Sequence, residues 1–376
     1  MSLGLYIHVP FCTSRCEYCA FATWADRFDF LDDYVDLVVR EIALRRRELR
    51  AGEFSTVYLG GGTPSLLSPA QLERILVPVL SGSTTEVTME ANPESLSEKI
   101  STYLDLGITR ISLGVQSLRD SDLELLGRAH SAASAKEAIE KLQASSMSFS
   151  TDFIFGVRGS KPIEMLADIA ALAMQASQPE HISIYGLTIE PGTPLASKPW
   201  LFPNDDEAAT TYLEVSQLCA DLGYECYEIS NFARDGRISR HNWNYWVQAE
   251  YLGVGPSAHS YLGGVRSWNI RDSYRWGHAL NNSRDTVAGS ETLSEEEHIF
   301  EGLSLALRTR LGVPVAAIDL AAIPEDLYEV TSDGRFVLSA KGRLVEGAIA
   351  LLLDPEAIER GQLVDLQALD LFVSPV

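Results

Sequence analysis

Along the first half of the chain, short apolar runs alternate with stretches in which apolar residues recur every three to four positions. Leu5–Val9, Thr56–Leu59, Glu86–Met89, Arg110–Val115, Phe149–Phe155 and His181–Leu187 have the length and composition of buried or half-buried strands. Segments 31–50, 69–80, 95–106, 119–127, 134–145 and 163–176 carry the helical period. Six strand-then-helix units in a row predict an α/β fold with parallel strands and right-handed crossovers. Such units build a doubly wound sheet or an incomplete barrel, and in both the chemistry gathers at the C-terminal strand ends.

Past residue 190 the pattern loosens. Asn204-Asp-Asp206 after Pro203 predicts a helix start leading to Leu222. The stretch Tyr227–Trp268 is rich in Gly, Asn, His and aromatic residues, more like a site-forming segment than a connector. A polar patch near 281–291 predicts a boundary. Ser294 with Glu297 forms a capping box opening a helix to about Leu311. Gly334–Leu338 and a helix around 344–353 complete a small α+β tail. The expected organisation is a core over 1–190, an extension over 191–285 and a C-terminal α+β domain over 286–376.

Composition narrows the setting. No signal-like leader is visible, and no apolar run approaches the roughly 18 residues that span a bilayer. The expectation is a cytoplasmic protein whose thiols stay reduced. A formal charge of −22 argues against nonspecific nucleic-acid binding. The cluster Arg40, Arg45, Arg46, Arg47 and Arg50 reads as a solvated helix face.

Candidate chemistry begins directly after the first strand, with Cys12, Cys16 and Cys19. Intervals of four and three along a short loop can wrap three thiolates around a cubane cluster and leave the fourth iron open to an exchangeable ligand. The plainer alternatives are buried apolar thiols or a zinc site closed by a histidine. No second cysteine knuckle accompanies them, and Cys219 and Cys226 read as packing residues. Gly60-Gly-Gly-Thr-Pro-Ser65 lies between a strand and a helix, where a glycine backbone can approach a ligand closely. Glu90 in Glu90-Ala-Asn-Pro-Glu94, Gln116 in Gly114-Val-Gln-Ser117, and Asp152 recur at or near successive strand ends. They can serve a cationic amino group and ribose hydroxyls.

Together these motifs, with Tyr6-Ile-His-Val-Pro-Phe-Cys12, resemble radical S-adenosylmethionine (SAM) proteins, and more narrowly the oxygen-independent coproporphyrinogen III oxidase group. The resemblance runs through the whole chain, including the tail around Gly302, Leu307 and Gly312. It implies an incomplete (β/α)6 barrel holding a [4Fe–4S] cluster on Cys12, Cys16 and Cys19, with SAM on the open iron. By position it implies that Tyr6, Tyr18, Gly61, Gly62, Thr63, Glu90, Gln116, Arg128 and Asp152 surround SAM. A reductant protein of flavodoxin or ferredoxin type would then supply the electron that cleaves the sulfonium.

Two departures separate this chain from the oxidases of the group. Phe21 stands where they typically carry a fourth cysteine, and His241-Asn-Trp-Asn-Tyr-Trp246 is an element they lack. With Tyr227–Ala233 and Gly253-Val-Gly-Pro-Ser-Ala-His259, these features resemble the haem chaperone branch, whose members are thought to bind haem and deliver it to client haem proteins. Haem favours an apolar slot with one axial ligand, commonly histidine. His241 beside Trp243, Tyr245 and Trp246 is the first candidate, His259 the second and His8 the third. The competing function is the oxidase itself, acting on coproporphyrinogen propionates.

Overall fold

The structure, a computed structural model, describes residues 3–49, 53–96, 99–157, 159, 162–175 and 178–357. Position 50 of the first expected helix, 97–98 of the third, 176 of the sixth and 358–376 of the expected tail lie outside these residues.

All six strands of the βα series form: β1 (Leu3–Val9), β2 (Phe54–Gly61), β3 (Glu86–Ala91), β4 (Arg110–Gln116), β5 (Ser148–Phe155) and β6 (His181–Gly186). They pair in chain order and in parallel. The helix Leu31–Leu49 packs a stripe of Tyr34, Val35, Val38 and Ile42 against them. Capping boxes at Ser68–Gln71 and Ser131–Ser134 open two further crossover helices, Pro69–Leu76 and Ala132–Gln143.

Each strand alternates in character, and the alternation sorts its residues between two environments. Ile7, Val57, Leu59, Met89, Ile111, Leu113, Phe153 and Ile182 enter the core beneath the helices. Tyr58, Glu90, Arg110, Ser112, Asp152, His181 and Ser183 line the concave interior instead. Parallel strands buried on both faces are ordinarily apolar throughout; here one face lines a polar cavity. The strand series stops short of closure, giving an incomplete barrel.

The second half extends both edges. β7 (Glu225–Glu228) and β8 (Asn231–Ala233) add antiparallel beyond β6. On the other side β9 (Tyr251–Val254) pairs parallel with β1, and β10 (His259–Leu262), β11 (Val265–Asn269) and β12 (Val287–Thr292) follow antiparallel. β12 carries the large sheet across the break expected at 285/286, because its backbone pairs with β11. This edge is stapled to the first helix by Glu41, which is 1% exposed. Its carboxylate accepts from Thr286 Oγ1 (2.6 Å), Gly255 N (2.8 Å), Asn269 Nδ2 (3.0 Å) and Trp276 Nε1 (3.1 Å).

The small tail unit has its own core, built around Leu303, Leu307, Val313 and Phe336. Ser294 and Glu297 do form the capping box of the helix Glu295–Leu307. That helix stops four residues before Leu311, in a turn where Gly312 adopts a positive φ of 61°. β13 (Val313–Pro314), β15 (Arg335–Leu338) and β14 (Tyr328–Val330) make a three-stranded sheet. The helix expected around 344–353 is two short ones, Ala340–Leu344 and Glu346–Ala350. Among the described residues no helix is long and apolar enough to cross a membrane.

Candidate functional site

The cysteines follow β1 on a loop that folds back on itself, with Cys12 N donating to Trp24 O and Trp24 N to Pro10 O. The glycine loop after β2 is bonded to this loop: Gly62 N donates to Val9 O (2.8 Å) and Thr63 N to Phe11 O (2.7 Å). A Cβ on Gly62 would stand 2.5 Å from Phe11 O, so only glycine permits this contact. Glu17, inside the cysteine loop, is held by Leu126 O, by Leu195 N and by an ion pair with Lys198 at 2.8 Å. Loops following three different strands thus fix the position of the thiols.

A chain of side-chain hydrogen bonds joins two of those thiols. Thr63 Oγ1 donates to Cys12 Sγ (3.7 Å) and accepts from Asn92 Nδ2 (3.0 Å). Asn92 Oδ1 accepts from Arg128 Nη2 (2.6 Å), and Arg128 Nη1 donates to Cys16 Sγ (3.3 Å). Asn92 was not singled out from the sequence. The signal was present, since it stands two positions after Glu90 and strand alternation aims both the same way.

Below the thiols, the Glu90 carboxylate accepts from Tyr58 OH (2.9 Å) and Gly61 N (3.0 Å). Burial raises its pKa to about 7, against the pull of these two donors. Asp152 accepts from Ser183 (2.7 Å), Ser112 (2.8 Å) and Ser150 (3.3 Å), and burial raises its pKa too. Gln116 takes a left-handed backbone (φ 63°) at the irregular end of β4, a conformation uncommon outside glycine and found at functional sites.

Cys12, Cys16, Cys19, Tyr18, Gly61, Gly62, Thr63, Glu90, Gln116, Arg128 and Asp152 all line one cavity of about 490 Å³. Tyr6 does not line it; its hydroxyl meets His8 Nδ1 at 3.0 Å and its ring stacks on Tyr58. A larger groove of about 1160 Å³ lies outside the barrel between Phe155 and Phe202, sharing only Ile154 with this cavity and holding no cysteine.

The donor set fits a cluster better than a single ion. Among the described residues no three His, Cys, Asp or Glu side chains converge on one point as the ligands of an ion do, whereas a tetrahedral zinc needs all its sulfurs at about 2.3 Å. The three thiols instead line a cavity of about 490 Å³, with room for more than a single ion. Burial pushes the Cys12 thiol up to about 11 and raises that of Cys19, so a bound cation is what would hold them as thiolates. Arg128 Nε is buried without a partner beside them, a donor left for an anionic group.

His241 does not meet the expectation of an axial haem ligand. It is buried, with Nδ1 bonded to Thr56 Oγ1 (2.8 Å) and Nε2 to Tyr245 OH (2.9 Å), and its ring stacks on Tyr58 at 5.2 Å. Both nitrogens are occupied, and burial lowers its pKa to about 3. His8 is engaged likewise, by Tyr6 and by Ala22 O. His259 is exposed, with its ring 6.1 Å from that of Trp268 and no hydrogen bond from its ring nitrogens to any described residue.

Comparison with known proteins agrees with this geometry. The family model described as the Radical SAM superfamily matches residues 6–172. A Mycobacterium tuberculosis protein named heme chaperone HemW is 36% identical over 370 residues, covering 93% of this chain and 94% of its own. The Escherichia coli protein of the same name is 36% identical over 264 residues, covering 68% and 69%. A mouse mitochondrial protein, radical S-adenosyl methionine domain-containing protein 1, is 32% identical, covering 90% and 83%. Among solved structures, the E. coli coproporphyrinogen III oxidase HemN superposes with a TM-score of 0.78 over 93% of this chain and 89% of its own. At 20% identity that likeness speaks for the fold alone. With the barrel, the thiol loop and relatives matched along nearly its full length, the chain belongs to the HemW family of radical SAM proteins.

Proposed function

We propose that this protein binds haem and passes it to client haem proteins, with a [4Fe–4S] cluster on Cys12, Cys16 and Cys19 and SAM in the adjoining cavity. The observation that carries this reading is the likeness to proteins named heme chaperone HemW over 93% of the chain. The cluster, when bound, supplies one-electron chemistry at SAM. The chain's own residues do the rest. Arg128 would balance the thiolate charge and offer donors to a carboxylate, Glu90 and Asp152 would serve the cationic end and ribose of SAM, and the loop Gly61–Thr63 would let the backbone approach. The surrounding barrel wall limits water. A flavodoxin- or ferredoxin-type reductant, from the family resemblance, and a cytoplasmic location, from the reduced thiols, complete the reading.

For haem, His259 is the ligand that the geometry favours. Its ring nitrogens bond no described residue, and Trp268 offers an apolar face beside it. Arg271, next along from this strand pair, donates to Ala20 O at 3.3 Å, placing the edge of β10 and β11 beside the cysteine loop. Phe21 on that loop is 66% exposed, a second apolar surface where an oxidase would carry its fourth cysteine.

The test is an anaerobic haem titration of cluster-reconstituted wild type, His259→Ala and His241→Gln, following the Soret band. Saturation at one haem per chain is expected for wild type and His241→Gln, with a lost or shifted band in His259→Ala. No saturable binding, together with conversion of coproporphyrinogen III to protoporphyrinogen, would replace the chaperone reading by the oxidase one.

A further inference from the structure

Beneath the residues that would face SAM, the barrel holds a cation with no hydrogen-bonded or ion-paired partner among the described residues. Arg110 begins β4, pairing in register with Thr88 of β3 and Ser148 of β5. It is 6% exposed, yet its guanidinium makes neither a hydrogen bond nor an ion pair with any described residue. Its open side faces the cavity that also holds the thiols. Gln116 ends the same strand roughly 20 Å away at the usual strand rise, so Arg110 belongs to the floor and the cysteines to the mouth.

The strand carboxylates around Arg110 are hydrogen-bonded to other donors, although Asp152 lies close enough to feel the Arg110 charge, and Glu190 lines the same cavity only beyond the end of β6. Asp152 is bonded by three serine hydroxyls, Glu90 by Tyr58 and Gly61, and Glu86 by the backbone N–H groups of Arg240 and His241. Two more donors around Arg110 are unpartnered: Thr88 Oγ1 and His181 Nδ1. His181 Nε2 meets Tyr227 OH at 2.7 Å, and that hydroxyl also accepts the Ser239 N–H. No other acceptor for the hydroxyl proton is present among the described residues, so we assign that proton to Nε2 and the ring hydrogen to Nδ1. Buried polar groups in folded proteins are paired. Three groups able to donate, one of them charged, are gathered here with no hydrogen-bond acceptor among the described residues.

We propose that Arg110, with His181 and Thr88, is a receptor for a carboxylate on an arm of a second molecule that enters the barrel beside SAM. A guanidinium grips a carboxylate through two parallel hydrogen bonds, which a lone water cannot reproduce. A cavity of about 490 Å³ holds one drug-sized ligand, so with SAM in place only an arm reaches the floor. The receptor rests on this geometry alone. That the arm is a haem propionate rests on the haem binding proposed above and on a haem that enters the barrel mouth, independently of ligation at His259.

Saturation-transfer NMR on the full, cluster-reconstituted chain with saturating SAM tests the receptor, using propionate and its uncharged analogue propionamide as probes. SAM keeps Arg128 occupied. Wild type is expected to saturate with propionate and not with propionamide. Arg110→Gln is expected to bind propionate at least tenfold more weakly, and Arg110→Lys about fivefold, since it keeps the charge and loses the fork. Equal binding of the two probes, or undiminished affinity in either variant, overturns the proposal, and the lysine variant decides if the glutamine one does not fold. Haem compared with its dimethyl ester then reads the source of the arm. A preference for the free acid that Arg110→Gln abolishes assigns a propionate, and no preference removes that assignment. Propionate binding by a chain that takes no haem overturns the chaperone reading and leaves the receptor standing.

Discussion

Arg128 and Cys16, 112 residues apart in sequence, meet at the cavity mouth, where guanidinium Nη1 donates to the cysteine sulfur at 3.3 Å. The other end of the same fork holds Asn92 Oδ1 at 2.6 Å and Gly114 O at 3.1 Å. One side chain thereby ties the cysteine loop to the ends of β3 and β4, and it is a cation where the proposed cluster and the SAM carboxylate would both place negative charge.

Replacing Arg128 with methionine keeps the length of the side chain and removes its charge and donors. We expect Arg128→Met to take up iron and sulfide to wild-type stoichiometry and to bind SAM at least tenfold more weakly, as charge-assisted hydrogen bonds of this kind contribute. Anaerobic calorimetry with SAM reads the loss. Unchanged affinity would remove Arg128 from the SAM site.

Glu90 sets a pH dependence. Its pKa rises from 4.5 to about 7 on folding, chiefly through burial. Between these values the folded chain holds a proton that the unfolded chain releases, so stability falls as pH rises. The contribution is complete below about 4.5 and gone above about 7, and it amounts to at most ~3 kcal/mol, less where water enters the cavity. Urea unfolding of the SAM-free protein at pH 5 and pH 8 should show a smaller difference for Glu90→Gln than for wild type. An identical difference in both would contradict the assignment.

Glu41 joins the sheet extension to the first helix through four donors from beyond residue 250. Truncating it leaves those donors buried without an acceptor, a loss of about 3–5 kcal/mol. Denaturant unfolding of Glu41→Ala should show that loss, with hydrogen exchange rising first in β9, β11 and β12. A change under about 1 kcal/mol would mean that water or a neighbour satisfies the donors.

Local pattern made much of the molecule readable. Leu5–Val9 and Phe149–Phe155 are readable as strands because short β-branched and aromatic runs of this length suit a buried strand better than a helix, and Ser294 with Glu297 opens a helix because the cap bonds form within three residues. Cys12, Cys16 and Cys19 fall within eight positions, so their shared loop was visible without a fold. Glu41 was not visible. On the helical period it sits among apolar residues as a stray charge, and its partners lie more than 200 residues away.

The sequence by itself determined the βα order, the thiol loop and the identity of the residues at the strand ends, because each depends on contacts within a few residues or on spacing along one strand. Tertiary structure alone decided which face of each strand became the barrel interior. It turned Arg-Ile-Ser-Leu-Gly-Val-Gln at 110–116 into Arg110 and Ser112 within the cavity and Ile111 and Leu113 in the core. It also decided the histidines, closing both nitrogens of His241 with Thr56 and Tyr245 and leaving those of His259 open. The physical reason is that a hydrogen-bonding side chain is free or taken according to what the fold brings against it, and those partners come from strands and helices far along the chain.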